Sequence, residues 1–479
     1  MSQSLRTCGL VITLMLAGLP AALADSDAER IHALEEQLEQ QKTLMEQQQR
    51  MLRIMEEELR RLKSGEPELT VQPVATAEEA ATGEMQPVIV TGDKVGGELS
   101  ARIYGFAQAD AIYDFKRVDP NWDDTLRVTT IPTRSGTYGN DGDVIFGVRQ
   151  SRLGISGDYG PDISFILEAE LYGVGGDEGQ TTPRLRHAWA TYRNFGMGQY
   201  WSNFMDADVF PNTIDYWGPT GMVFYRNQQA RYSFPLDEDE FSISIEDPDT
   251  ALTVGRFRDV PACDLPSPPE DCESVESVAG DLLQSHNDLP DFTARYRNNG
   301  DFGHYQVAGI FRKLGFERLD TGSSDEEWGW GINTSAVLNT WGDDKLKLQV
   351  VYGEGIGNYM NDGGVDIAPD SEDNAQAGAE AVPLLGIVAY YDHYWNARWS
   401  SSFGWTMTDL DSSDGQSGNE FERGQLASIN LLHYPADNVM MGTEFGWGQR
   451  EDVDGNTGSD YRIQFSLKVG FDSGNFILR

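Results

Sequence analysis

From residue 102 to residue 471 the chain consists of short segments in which apolar and polar side chains alternate. The last segment shows the pattern clearly, with Tyr461 and Phe465 on one face and Arg462 and Gln464 on the other. Because a β-strand points successive side chains to opposite faces, each segment has an apolar side and a polar side. Such segments, joined alternately by tight turns and longer loops, are typical of a membrane β-barrel.

The lengths of the connections distinguish a barrel from a sandwich. Every second connection is tight, as at 158–161 and 298–301, whereas the others are loops, the longest spanning 247–290. A sandwich has no reason to separate loop lengths in this way, but a barrel with short periplasmic turns does. We therefore predict an all-β transmembrane barrel of about 16 antiparallel strands over residues 101–471, followed by a C-terminal tail at 472–479.

The N-terminus reads as an export signal. Arg6 supplies a charged start, an apolar stretch follows, and small residues precede Asp25. This order is that of a secretory signal peptide, predicted over residues 1–24. Export and a barrel together predict the bacterial outer membrane as the location.

Two further modules precede the barrel. Apolar residues recur every seven residues between Ile31 and Leu62, which predicts a periplasmic α-helical coiled coil over residues 25–63. Residues 64–100 lose this repeat and are rich in Pro, Ala and Gly, which indicates a linker.

The formal charge of −41 argues against nucleic acid as a partner. Acidic residues crowd the long loops, where they suit a solvated surface next to lipopolysaccharide and the lipid bilayer, bridged by divalent cations.

Two cysteines, Cys263 and Cys272, remain once the signal peptide is removed, and both lie in the longest loop. Because the exported chain meets an oxidising compartment, we expect a disulfide between them. No cofactor or metal site is predicted. A weaker alternative is a calcium site at EF-hand-like offsets, but its glycine is displaced to Gly415; its residues would be Asp409, Asp411, Ser413 and Glu420.

The polar face of the predicted strands is rich in basic residues, which we expect to line a pore: Arg152, Arg184, Arg186, Arg231, Arg295, Arg297, Arg312, Lys345, Lys347, Arg462 and Lys468. Fewer acids share this face: Asp110, Glu168, Glu170 and Glu444. Arg149 and Arg226 fall on the opposite face by this count. A basic wall selects anions, and the guanidinium fork matches a carboxylate.

The third loop, at about 205–221, is rich in aromatic and apolar residues. A freely solvated loop has no use for them, so we expect this loop to fold into the barrel and narrow it. Asp206, Asp208 and Asp215 would then face the arginines.

Several motifs resemble those of the DcaP-like trimeric outer-membrane porins. They are the coiled coil with its linker, IYGF at 103–106 leading to ADAIYDF at 109–115, RQSRLG at 149–154, and GQYWSNFMD at 198–206. The resemblance implies a sixteen-stranded homotrimeric porin for small anionic solutes, typically dicarboxylates. Arg152 and the third-loop residues match family motifs, while the other basic positions rest on strand alternation alone.

Other functions are less well supported. No histidine lies in a recognisable nucleophile motif, so we predict that the protein is not an enzyme. A structural outer-membrane tether acting through the coiled coil, or a general cation-tolerant porin, remain alternatives.

Overall fold

The structure is a computed structural model that describes residues 98–174, 177, 179–252, 283–318, 322, 324–370 and 378–478. The predicted signal peptide, the coiled coil, and the linker up to residue 97 lie outside the described residues, as do Cys263 and Cys272.

The regular secondary structure of the described chain is almost entirely β-strand. Its strands are β1 (Leu99–Asp114), β2 (Asp143–Gly147), β3 (Arg152–Tyr159), β4 (Ile163–Glu170), β5 (Arg184–Tyr192), β6 (Phe195–Trp201), β7 (Arg226–Leu236), β8 (Asp239–Glu246), β9 (Leu283–Ser285), β10 (Asp291–Gly300), β11 (Gly303–Arg318), β12 (Ser324–Asn339), β13 (Lys345–Glu354), β14 (Ile367–Pro369), β15 (Ala379–Ala381), β16 (Pro383–Asn396), β17 (Trp399–Leu410), β18 (Phe421–Ala436), β19 (Val439–Asp452), β20 (Thr457–Asp472) and β21 (Phe476–Leu478). Short 3₁₀ turns occupy Pro120–Trp122, Val128–Thr130, Ala207–Val209 and Gly357–Tyr359. Among the described residues, no helix is long and apolar enough to cross a membrane.

The sheet closes on itself. β20 pairs antiparallel with β1, from Tyr104 opposite Asp472 to Asp114 opposite Arg462. β2 and β3 both pair with β1 and form one interrupted wall strand. With these two counted as one, and the short β9, β14, β15 and β21 set aside, the wall has sixteen strands. The predicted sixteen-stranded antiparallel barrel is therefore confirmed.

Side chains alternate across the wall as the sequence pattern predicts. On β20, Tyr461 and Phe465 are exposed on the outside, whereas Arg462 and Gln464 are buried inside. Phe146 on β2 is 81% exposed on the same outer surface. An outer surface of exposed apolar side chains is what a bilayer-facing barrel carries.

The connections separate by length at the two ends of the barrel. One end carries tight turns, for example at 160–162, 193–194 and 237–238. The other end carries the longer connections, among them 115–142 and the 247–290 connection that the sequence predicts to be longest. One connection at this end, 453–456, has only four residues and departs from the predicted separation by length.

Three of the long connections fold into the barrel. We call them loop 1 (115–142), loop 3 (202–225) and loop 6 (355–382, of which 355–370 and 378–382 are described). Their buried apolar side chains pack with inward wall residues such as Val351 and Val388 into one hydrophobic cluster. The loop members of this cluster are Val118, Leu126, Val128, Ile131, Phe204, Met205, Val209, Met222, Val223, Ile356, Tyr359, Met360, Ala368 and Val382. Because this packing removes apolar surface from water, the loops are fixed inside the barrel.

The residues after Phe471 are not a free tail. β20 continues to Asp472, the chain breaks from the ladder at 473–475, and β21 then pairs with Leu99–Ala101 of β1. This pairing satisfies backbone groups at the turn-bearing end of the barrel. Residues 476–478 of the predicted tail therefore contribute part of the closing seam.

Candidate functional site

Loop 3 is attached to the wall first through Asp206. Its carboxylate lies 2.8 Å from His304 Nε2, accepts a 2.6 Å hydrogen bond from Ser335, and forms a 3.5 Å ion pair with Arg297. Burial raises the pKa of Asp206, but the hydrogen bonds and the charge of Arg297 outweigh burial and leave the pKa below its ordinary value. Asp206 thus lies opposite an arginine, as the sequence predicts, but it is a buried anchor of loop 3 and does not line open space.

Asp208 is the acid of loop 3 that does face open space. Its side chain is 57% exposed and accepts a 2.6 Å hydrogen bond from Arg297. Asp206, Asp208 and His304 offer oxygen and nitrogen atoms within 4.8 Å of one another. The Arg297 guanidinium already bonds all three of these side chains and supplies their positive charge, so the cluster does not call for a metal ion.

The middle of loop 3 is tied to the opposite wall and to loop 1. Glu444 on β19 accepts hydrogen bonds from the backbone N–H groups of Ile214 (3.0 Å) and Asp215 (3.1 Å). Asp215 in turn accepts from the Leu126 N–H at 3.0 Å and lies 3.7 Å from Arg462. Burial raises the pKa of Asp215, and the charge of Arg462 offsets this only in part. Asp215 therefore joins two loops and is not exposed to the lumen.

A group of arginines surrounds Glu170 at the loop end of β4. Glu170 Oε1 accepts hydrogen bonds from Arg184 Nη2 and from the Tyr216 hydroxyl, both at 2.6 Å, while Oε2 accepts from Arg186 Nη1 at 2.5 Å. Arg226 Nη2 lies 3.4 Å from Oε1. Glu170 is fully buried by these partners.

Glu168 extends the group along the same strand. It accepts a 2.7 Å hydrogen bond from Arg186 and a 2.8 Å bond from the Tyr104 hydroxyl, and it lies 3.5 Å from Arg152. We call the set Arg152, Arg184, Arg186, Arg226, Glu168 and Glu170 the arginine cluster. Its four guanidiniums face two carboxylates, which leaves an excess of two positive charges.

A β-bulge shapes this cluster. The pairing of β4 with β5 shifts register between Glu168 and Ala169, so that Arg186 and His187 are consecutive yet both buried inside the wall. A bulge adds one residue to a strand and changes the side to which the following side chains point.

Two further arginines lie inside, although strand alternation placed them outside. Arg149 falls in the interruption between β2 and β3 and pairs with Asp124 of loop 1 at 2.6 Å. Burial raises the pKa of Asp124 to about 6, against the lowering effect of Arg149. Arg226 is the first residue of β7, directly after loop 3. Alternation does not hold at strand ends and breaks, which explains both errors.

A cavity of about 850 Å³ lies against the arginine cluster on the loop side. We call it the basic cavity. Its cationic lining is Arg127, Arg184, Arg226 and Arg450, its aromatic lining is Tyr216, Trp217, Phe224, Tyr225 and Phe421, and its acids are Asp362 and Glu420. Arg226 Nη1 is buried and makes no hydrogen bond within the described part of the chain.

Arg127 belongs to loop 1, for which the sequence predicted no role. Its guanidinium lies 3.9 Å from the ring centroid of Trp217 and 4.7 Å from that of Trp122, and it forms a 3.5 Å ion pair with Asp362 of loop 6. Loops 1, 3 and 6 therefore build the cavity together. The sequence could have indicated that loops 1 and 6 fold inward, because they contain apolar and aromatic residues, as loop 3 does.

Of the remaining predicted basic residues, three pair with carboxylates and three have neutral partners. Arg295 bonds Glu240, and Arg231 bonds Gln229 and the Trp201 carbonyl. Lys347 lies 3.3 Å from Asp392. Three other pairings complete the set: Arg462 with Asp114, Lys345 with Asn339, and Lys468 over the Phe106 ring.

Arg312 is predicted to line the pore, and the structure corrects this. It is fully buried, with its guanidinium 2.8 Å from Asp291 and 3.0 Å from Asp366, and it bonds the carbonyls of Asp249 and Gly355. It joins the wall to the loops and does not line an open space.

Three of the four residues of the weak calcium alternative already have partners. Asp409 pairs with Arg423 at 2.8 Å, and Ser413 donates to the Pro369 carbonyl. Glu420 accepts hydrogen bonds from Gln416 and Ser417. The structure thus gives this alternative no support.

The chain is similar in sequence and in fold to known outer membrane proteins. A family model described as DcaP outer membrane protein matches residues 91–251, about a third of the chain. The crystal structure of the outer membrane channel DcaP of Acinetobacter baumannii is 20% identical, with a TM-score of 0.62, and the match covers 79% of this chain and 99% of that one. OmpT of Vibrio cholerae (10% identity, TM-score 0.45, 78% and 98% covered) and an anion-selective porin from Comamonas acidovorans (10%, 0.45, 78% and 100%) are more distant. No curated protein matches the chain. The resemblance predicted from the motifs is confirmed: the chain is similar to the DcaP outer membrane proteins, by sequence over residues 91–251 and by the fold of its sixteen-stranded barrel.

Proposed function

We propose that this protein is an outer-membrane porin through which small anionic solutes, above all dicarboxylates, diffuse passively past the arginine cluster. The observation that carries the proposal is the cluster itself, in which four guanidiniums share two carboxylates beside a cavity of about 850 Å³. The similarity to the DcaP outer membrane proteins supports a channel in the outer membrane.

Electrostatics favours an anion at this place. The inside of a barrel has a lower effective dielectric constant than bulk water, so an excess of two positive charges attracts anions more strongly there. The guanidinium fork also matches a carboxylate in shape and can donate two hydrogen bonds to it. Arg184 and Arg226 both line the basic cavity, so their guanidiniums lie beside the space that a solute would occupy. Two excess charges suit a solute with two carboxylates.

The surroundings follow from the same proposal. The exposed apolar outer wall would contact lipid, and the end with tight turns would face the periplasm, where the coiled coil at 25–63 would lie. The acidic loops would meet lipopolysaccharide on the outside. A homotrimer, implied by the family resemblance, is part of the proposal and can be tested by cross-linking the purified protein.

The proposal is tested by reversal potentials of the purified protein in planar bilayers across a KCl gradient. We expect anion selectivity that weakens in the double variant Arg184→Gln and Arg226→Gln, because the cluster then loses its excess charge. Arg193→Gln is the matched control, since Arg193 lies at a tight turn and pairs with Asp162 away from the cluster. Cation selectivity of the unmodified protein would show that the acidic loops dominate and would refute the proposal in favour of the cation-tolerant porin.

A further inference from the structure

Glu170 lies at the centre of the arginine cluster and is out of reach of any solute. Its side chain has no exposed surface, and its two oxygens face Arg184, Arg186, Arg226 and the Tyr216 hydroxyl. A negative charge here weakens the attraction of the cluster for anions. A wall made only to attract anions would therefore be better without it.

The arrangement of the guanidiniums explains why a carboxylate is present. Like charges at close range inside a medium of low dielectric constant repel strongly, and nothing but an opposite charge compensates for this. Arg184 and Arg226 approach the same oxygen, Oε1, and Arg186 approaches Oε2. Without Glu170 these side chains would turn away from one another.

The same carboxylate holds loop 3 against the cluster. The Tyr216 hydroxyl donates to Glu170 and accepts a 2.7 Å hydrogen bond from Arg184. The Tyr216 ring stacks on Tyr172 with centroids 4.0 Å apart. Both Tyr216 and Arg184 line the basic cavity, so the geometry of its wall depends on Glu170.

We propose that Glu170 is a positioning residue for anion binding: its carboxylate holds Arg184 and Arg226 in the orientation that receives a dianion in the basic cavity. This inference rests on the proposed function. The inference distinguishes anion selectivity from dicarboxylate affinity. Anion selectivity depends on the net charge of the cluster, whereas dicarboxylate affinity depends on where the hydrogen-bond donors point.

The test is Glu170→Gln, which keeps the size of the side chain and a carbonyl acceptor but removes the charge. With succinate as probe, we expect the concentration for half-maximal block of the KCl current to rise about tenfold, the effect of losing roughly one charge-assisted hydrogen bond. The reversal potential in KCl should stay unchanged or shift toward higher anion selectivity, since the loss of one carboxylate raises the net positive charge of the cluster. Loss of affinity without loss of anion selectivity distinguishes positioning from general loosening of the barrel. Unchanged or tighter succinate binding would overturn the inference.

Glu240→Gln is the matched control. It removes a carboxylate from another inward arginine, Arg295, outside the cluster, and we expect no weakening of succinate block. If Glu170→Gln does not yield a folded barrel, Glu170→Asp decides the question. Aspartate keeps the charge but is shorter by one methylene, so we expect succinate affinity at least twofold below that of the unmodified protein, and an unchanged affinity would overturn the inference. If the unmodified protein neither binds succinate nor prefers anions, the proposed function fails and this inference fails with it. If the unmodified protein does both, tighter succinate binding by the Glu170→Gln variant contradicts the role of Glu170 but leaves the proposed function standing.

Discussion

Replacing Asp206 by alanine should detach the first part of loop 3 from the barrel wall. The carboxylate is fully buried, and its loss would leave His304, Ser335 and Arg297 without the partner they share. Removing one partner of a buried ion pair costs about 3–5 kcal/mol. Even the lower figure changes the equilibrium between attached and detached loop by more than about a hundredfold.

The detachment should be local, because Glu444 and Tyr216 still hold the middle of the loop. Single-channel recordings provide the measurement. The unmodified protein should give a steady current, and the Asp206→Ala variant should show added noise and brief closures as residues of loop 3 move in the lumen. The control is Asp208→Ala, two residues along the chain, whose ion pair with Arg297 is exposed and therefore worth only about 0–1 kcal/mol. A quiet Asp206→Ala channel, or equal noise in both variants, would refute the anchoring role.

Three further results are expected. The pKa of Asp206 lies below its ordinary value of 3.8, so its anchoring of loop 3 is fully present above that pH and is lost as the pH falls through the lowered pKa. Current noise should therefore rise only below about pH 3.8. The Asp206→Ala variant should show no such rise. Arg312→Met leaves two buried carboxylates unpaired, so it should lower the free energy of unfolding by about 3–5 kcal/mol, seen as a lower thermal midpoint. Anion selectivity should stay intact, because Arg312 lies away from the arginine cluster. A changed reversal potential would contradict this structural role. Cys263 and Cys272 should resist thiol labelling until a reductant is added, and reduction should destabilise their loop by roughly 2–3 kcal/mol; labelling without reductant would show that no disulfide forms.

Strand alternation in the sequence was informative where strands are regular. On β20 the exposed and buried positions follow the pattern residue by residue, and Arg184, Arg186 and Arg231 lie inside as that pattern predicts. Alternation gives the wrong side for Arg149 and Arg226, which lie at a strand interruption and at a strand end. The pleat no longer dictates direction at such positions, so only the folded chain shows where these side chains point.

The sequence indicated that loop 3 is unusual but did not identify its partners. Loop 1 and loop 6 carry the same apolar signal, and Arg127 reaches the basic cavity from loop 1. Which loop meets which wall depends on contacts between residues far apart in the chain, such as Asp215 with Leu126. Local composition contains no information about such contacts.

The sequence by itself determined the barrel, its number of strands and its two unequal ends, because these follow from local alternation and from the lengths of connections. The predicted excess of basic residues on the inner face is offset by acids that alternation did not identify, since Asp114, Glu246, Asp291 and Asp392 are also buried there. The tertiary structure decided which basic residues remain available to an anion. Arg312 and Arg184 both follow the inward pattern, yet Arg312 is enclosed by Asp291 and Asp366, whereas Arg184 lines the basic cavity. The physical reason is that the attraction of a charged side chain for an anion depends on the neighbouring charges and on access of water, and both are set by the fold.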